Sequence, residues 1–517
     1  MRADMSPDLS WVGVLEHHAR RTPGKPIATF EGRTVSYGEM AAWSADVAAG
    51  LAERGLGRGD VVGLLSYNNV EFLATIFAAN HLGAIAMPIN WRLAAEEVRF
   101  ILDHSQARAL VCDDALVALA DDAIGRLEGS GILRICTGDA PHDGWERFAD
   151  LAEVGRASGP VERQAASADD THRLMYTSGT TGRPKGVMIS HANLAWKNHA
   201  HVAELGFTAA DVGLACGPLY HVGALDLITT SMISVGATTV IHRTFDAAAV
   251  VDEIERSGVT AIWAAPAMLR AILDVPGVDE RDLSSVQVII AGGEKLPIPT
   301  IDRLRASFPS AWLADAYGLT ETVSGDTFLD RDSTITKLGS VGRACQYLEL
   351  AIWDEQGEAL PPGERGEVVL RGPKVFTGYW RDPDATARAF AGGWFHTGDI
   401  GVVDDDGYLF IVDRLKDMIV SGGENIASSE VERVIYEHGS VVEAAVVGRP
   451  DARWGEVPVA FVVVEPGAAA ATPEELIEHC RGHLAKFKVP REVVLIDALP
   501  RNPSGKVLKR ELRERTS

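Results

Sequence analysis

Residues 176–187 read Y-T-S-G-T-T-G-R-P-K-G-V, and the rest of the chain is organised around this stretch. Four hydroxyl side chains (Thr177, Ser178, Thr180, Thr181), three glycines (Gly179, Gly182, Gly186) and Lys185 fall within a dozen residues. Glycine lets backbone N–H groups approach a ligand closely, the hydroxyls add donors, and the lysine supplies a mobile positive charge. The combination suits a polyphosphate. Residues 173–176 end a short strand. A P-loop needs glycine directly before its lysine and Ser or Thr directly after it, whereas Pro184 and Gly186 flank Lys185. Some other phosphate grip is implied.

Upstream, strand and helix alternate: strand 61–65, helix 70–82, strand 84–88, helix 94–103 and strand 109–112. Such alternation predicts βαβ units on a parallel sheet. An Ala/Gly-rich connection, 139–169, reads as loosely patterned. Downstream of the motif the alternation resumes with the apolar stretch 225–235, strand 238–241, helix 247–257 and strand 261–264. Ligands of doubly wound sheets gather at the carboxyl ends of strands. Both the loop after Met175 and Gly292-Gly293-Glu294, after a strand at 286–291, occupy such ends. Two loops distant in sequence can therefore face one cleft.

Past Gly339, short apolar runs at 348–353, 366–371 and 407–412, with turns at 354–357 and 404–407, predict a small antiparallel β subdomain. A separate α+β pattern follows 413–416: helix 429–438, strands 442–447 and 459–464, helix 473–484 and strand 492–496. About 100 residues suffice for a small domain. The expected fold is α/β, with a large N-terminal domain of doubly wound sheets (1–413, including the β subdomain at about 339–413) and a small α+β C-terminal domain (417–517).

Composition narrows the function. A chain of 517 residues exceeds one hydrophobic core, and 46% hydrophobic with 23% charged residues is ordinary for a globular protein. The formal charge of −23 argues against a general nucleic-acid or anionic-membrane surface but permits a local basic site. Five cysteines without C-x-x-C spacing point to neither disulfides nor a zinc site, and a reducing cytoplasm fits them. Residues 1–14 lack the basic-then-apolar pattern of an export signal, and no segment reaches the roughly 18 apolar residues of a spanning helix.

Four further stretches carry chemistry. A-Y-G-L-T-E at 316–321 combines an aromatic face with a carboxylate able to hold Mg²⁺. W-F-H-T-G-D at 394–399 ends in an acid able to accept both hydroxyl protons of a ribose. D-R-L-K-D at 413–417 is a charged joint between composition zones, and P-R-N-P-S-G-K at 500–506 displays one lysine on a tight turn. Taken singly, each is most simply a surface turn, a helix cap or a core aromatic.

Taken together and in this order, with G-G-E-N-I at 422–426, they resemble the adenylate-forming superfamily of acyl-CoA synthetases, luciferases and nonribosomal adenylation domains. The resemblance spans residues 33–513. It implies a reaction in which a carboxylate attacks the α-phosphate of Mg-ATP to give acyl-AMP and pyrophosphate, after which a thiol, here coenzyme A, displaces AMP. By position, Thr177, Ser178, Gly179, Thr180, Thr181, Gly182 and Lys185 would hold the β- and γ-phosphates. Gly293, Glu294 and Tyr317 would bracket adenine, with Asp315 and Gly318 beside the nucleotide. Thr320 would touch the α-phosphate and Glu321 would bind Mg²⁺, while Asp399 would take the ribose diol near Arg414. Lys506 would bridge the carboxylate and α-phosphate as a compact cation.

The resemblance also implies a mobile C-terminal domain, with 414–416 as its joint and Lys416 as its hinge. Rotation would present Gly422, Gly423 and Glu424 for the thioester half, with Phe487, Lys488 and Arg92 as CoA contacts. His221, Val222 and Gly223 would line the acyl tunnel. Small residues at Gly223, Ala224, Ala265 and Gly292 suggest room for a bulky or long apolar acid. Asp226 is either a buried acid meeting a polar substrate group or, the favoured reading, part of a helix face turned to solvent. Ala427-Ser428 stands where many relatives have Tyr-Pro, which bears on CoA-side details. The expected activity is an ATP-dependent carboxylate:CoA ligase. Transfer to a carrier-protein phosphopantetheine arm and a non-catalytic acyl-adenylate-binding regulator remain as alternatives, and luciferase-like oxidation finds no support beyond the scaffold. The partners expected are the acid, ATP and CoA, with no nucleic acid and no integral membrane association. A homodimer is held open.

Overall fold

The computed structural model describes residues 8–127, 129, 131–177, 184–292, 296, 298–414, 417–421, 424–451, 453–465, 471–501 and 507–516, with the side chains of 424 and 425 excepted. Ser178, Gly179, Thr180, Thr181, Gly182, Gly293, Glu294, Lys416, Gly422, Gly423 and Lys506 lie outside these residues, as does the Glu424 side chain.

The motif strand Thr171–Thr177 lies parallel to Ile85–Pro88, and Lys185–Ser190 returns antiparallel beside it, with Thr177 opposite Lys185. The motif therefore joins two neighbouring strands rather than leading into a helix, as a P-loop or a βαβ crossover would. Around this pair runs an eight-stranded sheet in the order Gly378–Tyr379, Lys185–Ser190, Thr171–Thr177, Ile85–Pro88, Val61–Leu65, Ala107–Cys112, Leu133–Cys136, Glu146–Arg147. Lys185–Ser190 alone among these runs against the others. Val61–Leu65 and Ile85–Pro88 are buried at every residue, which is why they read as continuous apolar runs rather than as alternation.

A second, nine-stranded sheet is parallel from Trp312–Tyr317 through Val288–Gly292, Ala261–Ala264, Val212–Ala215 and Thr238–Ile241 to Pro26–Phe30. Antiparallel strands close both of its edges. Helix Val70–His81, capped by the Asn69 side chain on Phe72 N–H, is buried on nearly every side. Such a helix lacks a polar face because it has no solvent to face. The connection at 139–169 departs from expectation, since it contains the helix Phe148–Ser158. That helix crosses Tyr37–Glu53 so closely that a first side-chain carbon at Gly155 would overlap the Asp46 carbonyl, and one at Gly50 the Leu151 carbonyl. The Ala/Gly content that resembled a loose linker is what allows this contact.

The third sheet is antiparallel: Glu349–Trp353, Gly366–Arg371, Phe395–Val403 and Leu409–Arg414. In the fourth, Val441–Asp451 and Gly455–Val464 pair antiparallel, and Glu492–Leu495 joins in parallel. Helices Ser428–Tyr436 and Pro473–His483 belong to the same part of the chain, the latter opened by a Thr472/Glu475 capping box with proline in its first turn. Among the described residues, no helix is long and apolar enough to cross a membrane.

Candidate active site

Pairing of Tyr379 with Val187 across a two-residue strand carries Tyr379 to the mouth of the motif loop. The Lys185 ammonium lies over its ring, 4.8 Å from the centroid. Its hydroxyl donates to Glu321 Oε1 at 3.0 Å. Phe376 N–H donates to the Glu321 carbonyl (2.7 Å) and Trp380 N–H to that of Gly186 (2.7 Å), fastening 376–380 to both loops. The phosphate-type lysine and the candidate magnesium carboxylate are thus spanned by one tyrosine. Burial and the Glu321 carboxylate push the Tyr379 hydroxyl well above its ordinary pKa, so it remains a donor.

On the other side of Glu321, Trp312–Tyr317 ends beside Val288–Gly292, where a Cβ at Gly292 would come within 2.8 Å of the Ala316 carbonyl. The Tyr317 hydroxyl donates to Asp399 Oδ2 (2.7 Å), and Arg414 Nε lies 3.2 Å from Asp399 Oδ1. Asp399 and Arg414 are cross-strand partners in the third sheet. Burial, then the Asp399 charge, raises the Tyr317 pKa well above normal. Asp399 is 3% exposed and already holds two donors, so it is a fixed anion with oxygens oriented by the fold. Asp315 lies on the same strand as Tyr317, and Gly318 follows it.

The loop carrying Thr320 and Glu321 is strained. Val323, Ser324 and Gly325 take φ of 56°, 63° and 60°, the first an unfavourable conformation for a β-branched residue. A Cβ at Gly318 would overlap the Gly325 nitrogen. Lys374, 1% exposed, holds this turn: its ammonium donates to the carbonyls of Ser324 (2.8 Å) and Gly325 (2.7 Å) and to Asp326 Oδ1 (2.8 Å). Asp326 in turn accepts from the Thr322 hydroxyl at 2.5 Å.

In the segment expected to line an acyl tunnel, Gly223 N–H donates to His221 Nδ1 (3.0 Å), which places the imidazole proton on Nε2. The ring stacks on Trp263, with centroids 5.7 Å apart. Here the space expected beside Gly223 is taken by a side chain. A Cβ at Gly217 would approach the Trp263 indole to 2.6 Å, and one at Gly223 would overlap it. The space these glycines leave is filled by the indole rather than left for substrate. Val222 is buried, and residues Gly223–Thr230 wind as a π-helix.

The favoured solvent-facing placement of Asp226 is likewise corrected. Its carboxylate is fully buried and pairs with Arg173 of the motif strand at 2.5 Å. Lys197, also fully buried, donates to the Asp226 carbonyl (2.5 Å) and to the Thr230 hydroxyl (2.7 Å), and burial pushes its pKa down to about 7. The wide turn of the π-helix aims Asp226 inward, tying that helix to the motif strand.

Near the mouth, Arg92 donates to the Tyr220 hydroxyl (3.3 Å) and lies 4.6 Å over the Trp91 ring. Asn68 fastens the 217–219 turn, donating to the Gly217 carbonyl and accepting from Leu219 N–H, both at 2.8 Å. Phe487 is 41% exposed, and Lys488 is held by Glu430 at 2.7 Å. Ser428, at the site of the Ala427-Ser428 departure, donates through its N–H and hydroxyl to Asp413 Oδ2 (2.5 and 2.7 Å) and accepts from Lys509 (2.5 Å).

The structure therefore brings Thr177, Lys185, Glu321, Tyr317, Asp399 and Arg414 to neighbouring strand ends, with Thr320, Gly292 and Gly318 among them. Sequence reasoning missed Tyr379, Lys374, Trp263 and Lys197. The only sequence signal among them was the rarity of tryptophan inside an apolar strand, at Trp263.

The chain belongs to the AMP-binding enzyme family: the family profile matches residues 15–380, and that of the AMP-binding enzyme C-terminal domain matches residues 430–506. Feruloyl-CoA synthase from Amycolatopsis sp is 38% identical over 498 residues, covering 96% of this chain and 97% of its own. Indoleacetate–CoA ligase from Aromatoleum aromaticum is 38% identical over 504 residues, 97% of each chain. Among solved structures, o-succinylbenzoate CoA synthetase from Bacillus subtilis, in complex with its acyl-adenylate intermediate, superposes with a TM-score of 0.86 at 32% identity over 97% of both chains. The same synthetase has been solved with ATP and a magnesium ion.

Proposed function

We infer that this chain is an ATP-dependent carboxylate:CoA ligase that forms acyl-AMP and transfers the acyl group to coenzyme A. The observation that carries this reading is the convergence of a cation (Lys185), a carboxylate spanned to it by Tyr379 (Glu321) and a fixed buried acid (Asp399) around the ends of the motif strand and Trp312–Tyr317. Oxygen donors at Glu321 and Thr320 suit a hard divalent cation, and Mg²⁺ bound there would neutralise phosphate charge. Lys185 steadies the departing pyrophosphate, while Asp399 and Tyr317 orient the adenosine. Lys506, with Lys416 as the hinge between domains 1–413 and 417–517, is assigned from the resemblance to the charge developing at the α-phosphate. CoA is assigned to Arg92, Phe487, Lys488 and the 422–424 segment. Five free, buried cysteines support a cytoplasmic location.

The acid is proposed to be compact and aromatic. Supporting this, the indole of Trp263 takes the space beside Gly217 and Gly223 and offers, with His221, a flat π-surface. The relatives acting on feruloyl and indoleacetate groups are in keeping with it. The test is pyrophosphate release across a panel of aryl, arylalkyl and long-chain acids, with and without CoA, in wild type and Trp263→Ala. Wild type should prefer aryl acids, and the variant should gain on long-chain acids by about tenfold or more, since each methylene accommodated is worth about 1–3 kcal/mol. A wild-type preference for long chains would refute the compact pocket. Absence of pyrophosphate release with every acid would refute the ligase.

A further inference from the structure

We propose that Asp114, Cys136 and His142 form a zinc-type metal site at the carboxyl edge of the eight-stranded sheet, separate from the nucleotide site. Cys136 ends strand Leu133–Cys136, and Asp114 opens the short turn Asp114–Leu116 that follows strand Ala107–Cys112. His142 arrives on the loop after Cys136. One carboxylate oxygen, the thiol sulfur and an imidazole nitrogen all lie within 4.8 Å of one another. Asp114 Oδ1 is the common point, accepting from the Cys136 thiol and lying 3.2 Å from His142 Nε2.

The surroundings are built to hold these groups inward. A Cβ at Gly138 would overlap the Asp114 carboxylate, so only glycine allows the acid to fold against the loop. Trp145 anchors the far side of the loop: its N–H bonds the His142 carbonyl (3.1 Å) and its indole N–H bonds Asp121 Oδ1 (3.1 Å).

The donor set decides the metal. Magnesium and calcium take oxygen shells, whereas one thiolate, one imidazole and one carboxylate match zinc, with a water completing four ligands. Cys136 is buried, but the Asp114 and His142 side chains are 33% and 29% exposed, leaving an open side for that water. On binding, the metal–sulfur bond replaces the thiol S–H bond and the proton leaves to solvent. The Cys136–Asp114 and Asp114–His142 contacts give way to coordination, which staples loop 137–145 to the sheet edge.

The test is Co²⁺ titration of the full-length metal-free protein, without ATP or magnesium, read by absorption. One equivalent per chain should produce a thiolate-to-cobalt charge-transfer band in the near ultraviolet with tetrahedral ligand-field bands in the visible. Both should vanish on adding excess Zn²⁺. Cys136→Ser should lose the charge-transfer band, and His142→Gln should lose stoichiometric binding, each with circular dichroism and pyrophosphate release unchanged. Cobalt held instead at Glu321 would show no thiolate band. A wild-type protein without that band, or one whose spectrum is unaltered by Cys136→Ser, overturns the proposal. If either variant fails to fold, the wild-type spectrum and a zinc-dependent rise in wild-type Tm still decide it.

Discussion

Replacing Tyr379 by Phe removes a single hydroxyl and leaves the ring on which Lys185 rests. What is lost is the 3.0 Å hydrogen bond to Glu321 Oε1. A hydrogen bond to a charged group contributes about 1.5–3 kcal/mol. If that energy serves to aim Glu321 as the α-phosphate reacts, adenylation should slow by about 10- to 150-fold, at 1.36 kcal/mol per tenfold. The lysine keeps its cation–π contact, so the change isolates the aim of the carboxylate from the grip on phosphate. Pyrophosphate release is measured at varied Mg-ATP with saturating acid, alongside thioester formation from supplied acyl-AMP. The loss should fall on the first half and be relieved in part by higher magnesium, with the second half unchanged. Adenylation within about twofold of wild type, or equal loss in both halves, would show that Tyr379 does not position Glu321 for the reaction.

Lys374→Met strands Asp326 as a buried charge and removes the donor from two inverted carbonyls, so stability should drop by about 3–5 kcal/mol, read from the urea midpoint. An unchanged midpoint would mean that the strained 323–325 turn holds without it. For Lys197, burial lowers the folded pKa from 10.5 to about 7, so between those values the unfolded chain carries a proton that the folded chain has released. Its contribution to stability therefore rises with pH across that window, and the difference in stability between wild type and Lys197→Met should shift in favour of wild type from pH 7 to 10. A difference independent of pH would mean that Lys197 stays charged in the interior.

The parallel scaffold was legible because its strands are buried on both faces. Runs such as Val61–Leu65 and Ala261–Ala264 stand out as apolar blocks whose neighbours must be helices. The nucleotide-side residues were legible because glycine, hydroxyl and charge cluster locally in 176–187 and 316–321. Tyr379 was not, because a two-residue strand brings it to Lys185 from far along the chain, and a pairing that short leaves no periodic trace. Trp263 read as one more strand residue, and its projection across Gly217 and Gly223 depends on how the Ala261–Ala264 strand sits against the π-helix. Asp226 was misplaced because ordinary α-helical spacing does not describe a π-helix. The helix Phe148–Ser158 was hidden because Gly155, which lets it cross Tyr37–Glu53, also weakens helix propensity.

The measurement that bears most directly on carboxylate activation through acyl-AMP follows a heavy oxygen. An accepted acid, labelled with ¹⁸O in both carboxylate positions, is turned over with ATP, magnesium and CoA, and AMP and pyrophosphate are weighed by mass spectrometry. Attack of a carboxylate oxygen on the α-phosphate, followed by cleavage of the acyl C–O bond by the thiol, leaves one ¹⁸O in AMP and none in pyrophosphate. Label in pyrophosphate, or AMP without label alongside formed thioester, would rule out the adenylate route.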